Sequence, residues 1–189
     1  KTDVDYNGDG CVDVEEAIKD KRDRYYDDLR SSFTKAFASV TGYEEIQRRI
    51  KLYEVGLLRI RINEMVSERA AKQLGKPLNH ENKYFARSVK AFADGALGSR
   101  GALFIEPYSD YPDYHGEPRM SENEMAQSAT ELLEIGFNMR VHCIGDGANR
   151  NAINAFERAL EATGMNGDDV RFALEHSQVL TEEDMPRLA

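Results

Sequence analysis

Short apolar runs alternate with amphipathic stretches along most of the chain, and this alternation predicts an α/β fold. Four runs have the length and apolar content of β-strands, and they cover residues 57–63, 88–94, 138–144 and 170–175. Stretches with helical spacing separate them, at residues 64–75, 121–135 and 146–163. Strands that alternate with helices pair in a parallel sheet whose faces are covered by those helices. We therefore expect a parallel sheet.

The first 40 residues differ in pattern from the rest of the chain. They begin polar and acidic, and from 14 to 40 apolar residues recur with roughly helical spacing among many charges. A further helix is expected over 43–55, after a break in the pattern. We therefore divide the chain into an N-terminal element at 1–40 and an α/β part at 41–189.

Composition narrows the classes of partner. The chain has 189 residues, of which 41% are hydrophobic, and these suffice for one sizeable core. Apolar runs long enough for a membrane span are absent from the sequence, so we expect a soluble protein. The net charge of −9 argues against a nucleic-acid partner, because phosphate binding needs a basic surface. The chain starts at Lys1 without a methionine, and the compartment stays open.

Two histidines occupy matching positions at the ends of predicted strands. His142 closes one apolar run and His176 closes the next, 34 residues later, which is about one β/α unit. In a parallel sheet both imidazoles would reach the same edge, where they could share one metal ion. Asp146 and Glu175 are candidates to orient them. The alternative is that each ring is a half-buried strand residue that bonds a backbone carbonyl.

Lys90 lies among apolar neighbours in the second predicted strand. A lysine on the inner side of a closed sheet is costly unless it is paired, modified or used in chemistry. The alternative is an edge-strand lysine that faces water.

Four motifs together resemble one family. They are VKAFADGALGSR at 89–100, EPY at 106–108, HCIGD at 142–146 and EHSQ at 175–178. Their order and spacing resemble the amidohydrolase superfamily, in particular the amidohydrolase family 3 branch that includes N-substituted formamide deformylase. The likeness extends from about residue 43 to the C-terminus.

This resemblance implies a metal-dependent hydrolase of C–N bonds other than peptide bonds, built on a distorted TIM barrel. His142 and His176 match the metal-binding histidines after the fifth and sixth strands, with zinc as the expected metal. Lys90 matches the lysine of the fourth strand, which can be carboxylated to bridge two metals. The three residues therefore match the catalytic and metal-binding positions.

The resemblance also implies a small-molecule amide-type substrate. The glycine-rich loop after the second predicted strand would line its pocket, with Gly98, Ser99 and Arg100 as substrate-binding residues. Arg100 would contact a substrate oxygen.

The chain departs from the family pattern at both ends. It lacks the His-x-His motif of the first strand and the aspartate after the eighth strand, which acts as the family's general base. A TIM barrel needs about 250 residues. We therefore expect an incomplete barrel, as a fragment of a larger enzyme or as a degenerate relative.

A twelve-residue acidic segment near the N-terminus fits the EF-hand calcium loop. Oxygen donors fall at loop positions 1, 3, 5, 9 and 12, with glycine at position 6. The predicted calcium ligands are Asp5, Asn7, Asp9, the Cys11 carbonyl, Asp13 and Glu16. The alternative is an acidic turn that caps the following helix.

The sequence is consistent with two alternative functions. The first is a metal-dependent amidohydrolase that contains Lys90, His142 and His176. The second is a non-catalytic calcium-binding module whose barrel portion serves only as a scaffold. The sequence does not distinguish between oligomeric states or identify the substrate.

Overall fold

The computed structural model describes residues 40–188 as five helices and five strands. The helices are α1 (Tyr43–Glu54), α2 (Glu68–Leu74), α3 (Glu122–Glu134), α4 (Asp146–Thr163) and α5 (Gly167–Val170). The strands are β1 (Ile62–Val66), β2 (Leu78–His80), β3 (Tyr84–Phe92), β4 (Asn138–Cys143) and β5 (Ala173–His176). A 3₁₀ turn at Met185–Leu188 ends this part of the chain. None of these helices combines the length and the hydrophobicity needed to cross a membrane.

The strands form one sheet in the order β1-β3-β4-β5, and all of these neighbours are parallel. The short strand β2 pairs with the start of β3 in the antiparallel direction. Helices α2, α3 and α4 each lie in a connection between parallel strands, as in part of a (β/α)₈ barrel. The predicted α/β class with a parallel sheet is confirmed.

The core lies between one face of the sheet and the helices. In β4, Met139, Val141 and Cys143 are fully buried in this core, whereas Arg140 and His142 alternate with them and are only partly buried. A strand directs successive side chains to opposite faces, so Arg140 and His142 lie on the face away from the helices. This second face carries the candidate site.

The predicted strand at 57–63 is wrong in position. The backbone N–H groups of Leu57 and Leu58 both donate to the Leu52 carbonyl, at 2.9 and 3.3 Å, and so close the end of α1. Those donors are therefore not free for a strand ladder. The strand begins only at Ile62, and the predicted helix at 64–75 is correspondingly shorter.

The last predicted strand, at 170–175, also begins later than expected. Val170 ends the short helix α5, whose N-cap residue Asn166 accepts a hydrogen bond from the Asp168 N–H through its side chain. Arg171 then adopts a left-handed backbone conformation, and the strand starts at Ala173.

Glu64 anchors α1 to the sheet. Its carboxylate accepts hydrogen bonds from the hydroxyls of Thr41 and Tyr84, both at 2.5 Å, and it forms an ion pair with Arg49 of α1. Burial is the main cause that raises the pKa of the Tyr84 phenol, and the nearby Glu64 carboxylate adds to it. Arg49 also bonds Glu45 one turn earlier in α1. The network therefore links α1 and Thr41 to strands β1 and β3.

Candidate metal centre

The structure brings the two predicted histidines together. His142 is the fifth residue of β4 and His176 is the last residue of β5, and their ring centroids lie 4.7 Å apart at an interplanar angle of 74°. Both rings therefore lie at the C-terminal ends of adjacent parallel strands. This is the edge where α/β folds place their sites.

An unusual backbone conformation accompanies this contact. The ladder pairs His176 with Cys143, whose side chain is buried toward the helices, and it pairs His142 with Glu175. His176 and the following Ser177 have positive φ angles of 80° and 44°. Positive φ is uncommon for residues other than glycine. This left-handed turn ends the strand where the His176 ring meets His142.

The His142 ring is held by a backbone carbonyl. Its Nε2 atom lies 3.2 Å from the Gly95 carbonyl oxygen and 3.7 Å from Asp94 Oδ1. A carbonyl can only accept, so this bond assigns the proton to Nε2 and leaves the lone pair on Nδ1. Burial is the main cause that lowers the pKa of His142, which favours the neutral ring. A neutral imidazole is the form that binds metal.

Lys90 lies on the same open face as His142. Its Nζ atom donates to the Ala91 carbonyl at 3.2 Å and lies 4.5 Å from the centroid of the Phe92 ring. The Phe92 ring in turn lies 5.5 Å from the His142 ring. Burial lowers the pKa of the Lys90 ammonium. Lys90 is thus half-buried against Phe92, on the face that carries His142, rather than extended into water.

The donor set fits part of a zinc-type site. Within residues 40–188, no three His, Cys, Asp or Glu side chains converge closely enough to hold a metal ion. Two neutral imidazoles suit zinc, whereas a catalytic zinc takes three protein ligands, and a Lys90 ammonium has no lone pair to offer. The histidine pair therefore matches the chemistry of such a site without completing it.

Asp94 lies beside the candidate site, and the sequence pattern did not single it out. Its side chain is fully buried, directly after β3, and accepts hydrogen bonds from three backbone N–H groups. These belong to Leu103, Ile144 and Gly145. The only sequence signal is an acidic residue at the end of an apolar strand, a position where a carboxylate needs partners.

The predicted substrate-binding residues lie in an exposed turn after β3. Ser99 donates to the Ala96 carbonyl at 3.2 Å, and the Arg100 guanidinium forms an ion pair with Asp110 at 2.8 Å. Bonding to Asp110 raises the pKa of Arg100, and bonding to Arg100 lowers the pKa of Asp110. In this structure Arg100 contacts the loop itself, and the role of Gly98, Ser99 and Arg100 stays a prediction.

Asp146 and Glu175 contact groups other than the two histidines. Asp146 accepts the Ile105 N–H at 2.9 Å, and Glu175 forms an ion pair with Arg140 at 3.1 Å. The expectation that they orient the imidazoles is therefore not met by these contacts. The predicted calcium ligands Asp5, Asn7, Asp9, Cys11, Asp13 and Glu16 lie outside the described residues.

Two curated proteins are similar to this chain over about half of its length. Protein LONG AFTER FAR-RED 3 of Arabidopsis thaliana is 40% identical over 93 residues, which are 49% of this chain and 15% of that protein. YtcJ of Bacillus subtilis, which is named as an amidohydrolase, is 36% identical over 102 residues, which are 54% of this chain and 18% of YtcJ. The matched region therefore spans less than a fifth of either relative.

Two crystal structures of archaeal proteins are similar in fold. Both are of uncharacterized metal-dependent hydrolases and are 26% identical in sequence to this chain. The Pyrococcus furiosus structure has a TM-score of 0.68 and shares 79% of this chain and 31% of its own. The Pyrococcus horikoshii structure has a TM-score of 0.65 and shares 76% of this chain and 28% of its own.

The amidohydrolase family model matches residues 24–189, which include every element described above. The match begins after the predicted calcium loop at 5–16. It covers most of the chain and both strand-end histidines, so the chain belongs to the amidohydrolase family.

Proposed function

We propose that the protein is a hydrolase that cleaves C–N bonds other than peptide bonds, using water activated by a divalent metal. The observation that carries the proposal is the His142–His176 pair, whose rings lie 4.7 Å apart at the C-terminal ends of adjacent parallel strands. Family membership and two metal-dependent hydrolases of similar fold support a metal at this place.

His142 and His176 would hold the metal, for which zinc is the best match to two imidazoles. When bound, such an ion lowers the pKa of its water and polarises a carbonyl. Two features of the chain favour metal binding by His142. The Gly95 carbonyl holds Nε2 of His142, and burial favours the neutral ring. Lys90 would join the ligands only after carboxylation, which replaces the ammonium by oxygen donors.

The proposed substrate is a small amide-type molecule that binds beside the turn at 98–100. Arg100 is exposed and bonded to Asp110, so it can exchange this partner for a substrate oxygen. A surface ion pair of this kind contributes little to stability, and the exchange is therefore inexpensive in free energy. Gly98 has open space around it, which leaves the turn accessible from one side.

The test is an amine-release assay on the full chain after removal of metal by a chelator. Zinc is added back, and a panel of N-substituted formamides and other amides is compared with a short peptide. A double variant, His142→Ala/His176→Ala, is compared with His80→Ala/His115→Ala, which removes the remaining two histidines of the chain. We expect zinc-dependent amine release that only the first variant loses. Equal activity in both variants would contradict the proposal.

We also propose that residues 5–16 bind calcium. Support comes from the fit of Asp5, Asp9 and Glu16 to the diagnostic loop positions and from the family match, which begins only at residue 24. Calcium titration calorimetry of the wild type and of an Asp5→Ala/Glu16→Ala variant tests this module. Heat of binding that persists in the variant would refute it. Calcium binding without any zinc at the histidines would favour the scaffold function over the enzyme.

A further inference from the structure

The Asp94 carboxylate joins two backbone segments that lie far apart in sequence. Its Oδ2 atom accepts the N–H groups of Leu103 and Gly145, both at 2.9 Å, and its Oδ1 atom accepts the N–H of Ile144 at 3.0 Å. Leu103 belongs to the long loop after β3, whereas Ile144 and Gly145 form the turn that follows His142. A fully buried carboxylate that accepts three N–H groups is firmly held, since its release would leave charge and donors without partners.

The same two segments also touch backbone to backbone. The Leu103 carbonyl accepts the Ala148 N–H at 3.2 Å, and a Cβ atom on Gly145 would lie 1.9 Å from that carbonyl oxygen. Only a residue without a side chain allows this approach. Leu103 therefore donates to Asp94 and accepts from the first turn of α4, which docks the loop against the end of β4.

Asp94 also lies beside the metal-site histidine without bonding it. Its Oδ1 atom is 3.7 Å from His142 Nε2, too far for a hydrogen bond, and the ring bonds the carbonyl of the next residue, Gly95, at 3.2 Å. Both carboxylate oxygens are already engaged by backbone donors. Asp94 is therefore bound by backbone donors rather than by the imidazole, and the Gly95 carbonyl that holds the ring directly follows it in the chain.

We propose that Asp94 is the positioning residue of the candidate metal centre. Its carboxylate fixes the Gly95 carbonyl and the turn after His142 relative to each other. It thereby holds the His142 ring with Nε2 on that carbonyl and the Nδ1 lone pair free for a ligand. The role assigned to His142 rests on the proposed function, but the placement of the ring does not.

The test uses NMR of the full chain labelled with ¹⁵N-histidine, without metal or substrate. Asp94→Asn is compared with Asp184→Asn, a matched control. Asp184 is equally buried and accepts from Thr181, Arg150 and Arg187 at 2.7–2.9 Å, with no histidine among these partners. An asparagine at 94 keeps the shape but replaces one acceptor by a donor, which opposes a backbone N–H.

In the wild type we expect His142 as a single Nε2–H tautomer with a slowly exchanging ring proton and a nuclear Overhauser contact to His176. Asp94→Asn should lose the slow exchange and weaken that contact, whereas Asp184→Asn should keep both even if its thermal midpoint falls equally. A purely structural role predicts the same His142 signals in both variants, and that result would overturn the proposal.

A second measurement needs no variant, in case Asp94→Asn does not fold. Hydrogen exchange in the wild type should show the Leu103, Ile144 and Gly145 amides opening together with the His142 ring proton, as one cooperative unit. A ring proton that exchanges freely while these amides stay protected would separate Asp94 from His142 and overturn the proposal. Because neither readout involves catalysis, loss of this inference and loss of the proposed hydrolase activity are distinguishable.

Discussion

The rings of His142 and His176 lie 4.7 Å apart although the strand ladder pairs His176 with Cys143 rather than with His142. The contact coincides with a left-handed backbone at His176, φ 80°, and at Ser177. Such conformations cost roughly 1–3 kcal/mol each and cluster at functional sites. The protein thus keeps a strained strand end at the place where the two imidazoles meet.

The burial of His142 predicts a pH dependence of stability. Its pKa in the folded protein lies below the ordinary 6.5, chiefly because burial disfavours the charged ring. Well above pH 6.5 the ring is neutral in both states. As the pH falls below 6.5, the unfolded chain binds the proton first, so the free energy of unfolding decreases until the folded ring also titrates. Urea denaturation of the wild type and of His142→Gln at several pH values measures this contribution. A folded-state NMR midpoint at or above 6.5 would contradict it.

Gly145 is predicted to be intolerant of a side chain. Gly145→Ala places a Cβ against the Leu103 carbonyl and should lower the free energy of unfolding by about 1–3 kcal/mol, as overpacking does. Gly42→Ala is the matched control, since both glycines are helix N-caps in an extended conformation and Gly42 has nothing within 4 Å. Equal midpoints of chemical denaturation in the two variants would contradict the close contact.

The Glu64 network is predicted to carry much of the stability on the β1 side. Glu64→Gln removes the charge opposite Arg49 while both side chains are about nine-tenths buried, and should cost about 3 kcal/mol or more. Glu81→Gln breaks an exposed pair with Lys83 and should change little. Chemical denaturation compares the two variants. A loss in Glu64→Gln no larger than in Glu81→Gln would show that the network is dispensable.

Much of the architecture could be predicted from periodicity and end signals. Helix α4 occupies the predicted residues 146–163, and α3 lies within one residue of its predicted ends, with a capping box of Ser121 and Glu124 at its N-terminus. The strand predicted at 57–63 failed at its start because Leu57 and Leu58 follow directly on α1, whose Leu52 carbonyl takes their N–H groups. Apolar content alone does not show whether a backbone N–H group will bond the end of a helix or a neighbouring strand.

Of the candidate site, only the residues at the ends of predicted strands could be predicted from the sequence. His142 and His176 follow that rule, and the structure brings them into contact. The contacts of Asp94 could not be predicted from the sequence. Its partners are 9, 50 and 51 residues away in the chain, and they are backbone groups, which any residue type supplies. Likewise, the left-handed turn at His176 and Ser177 occurs without a glycine at either position.

The most direct test of the account is the zinc content of chelator-treated protein after exposure to one equivalent of zinc, measured by elemental analysis. His142→Ala/His176→Ala is compared with the wild type and with His80→Ala/His115→Ala, which removes the chain's other two histidines, His80 beside Tyr53 and His115 in the loop after β3. We expect that the wild type and the control variant hold zinc and that the His142/His176 variant does not. Zinc held equally by all three proteins, or by none, would contradict a metal centre at these strand ends.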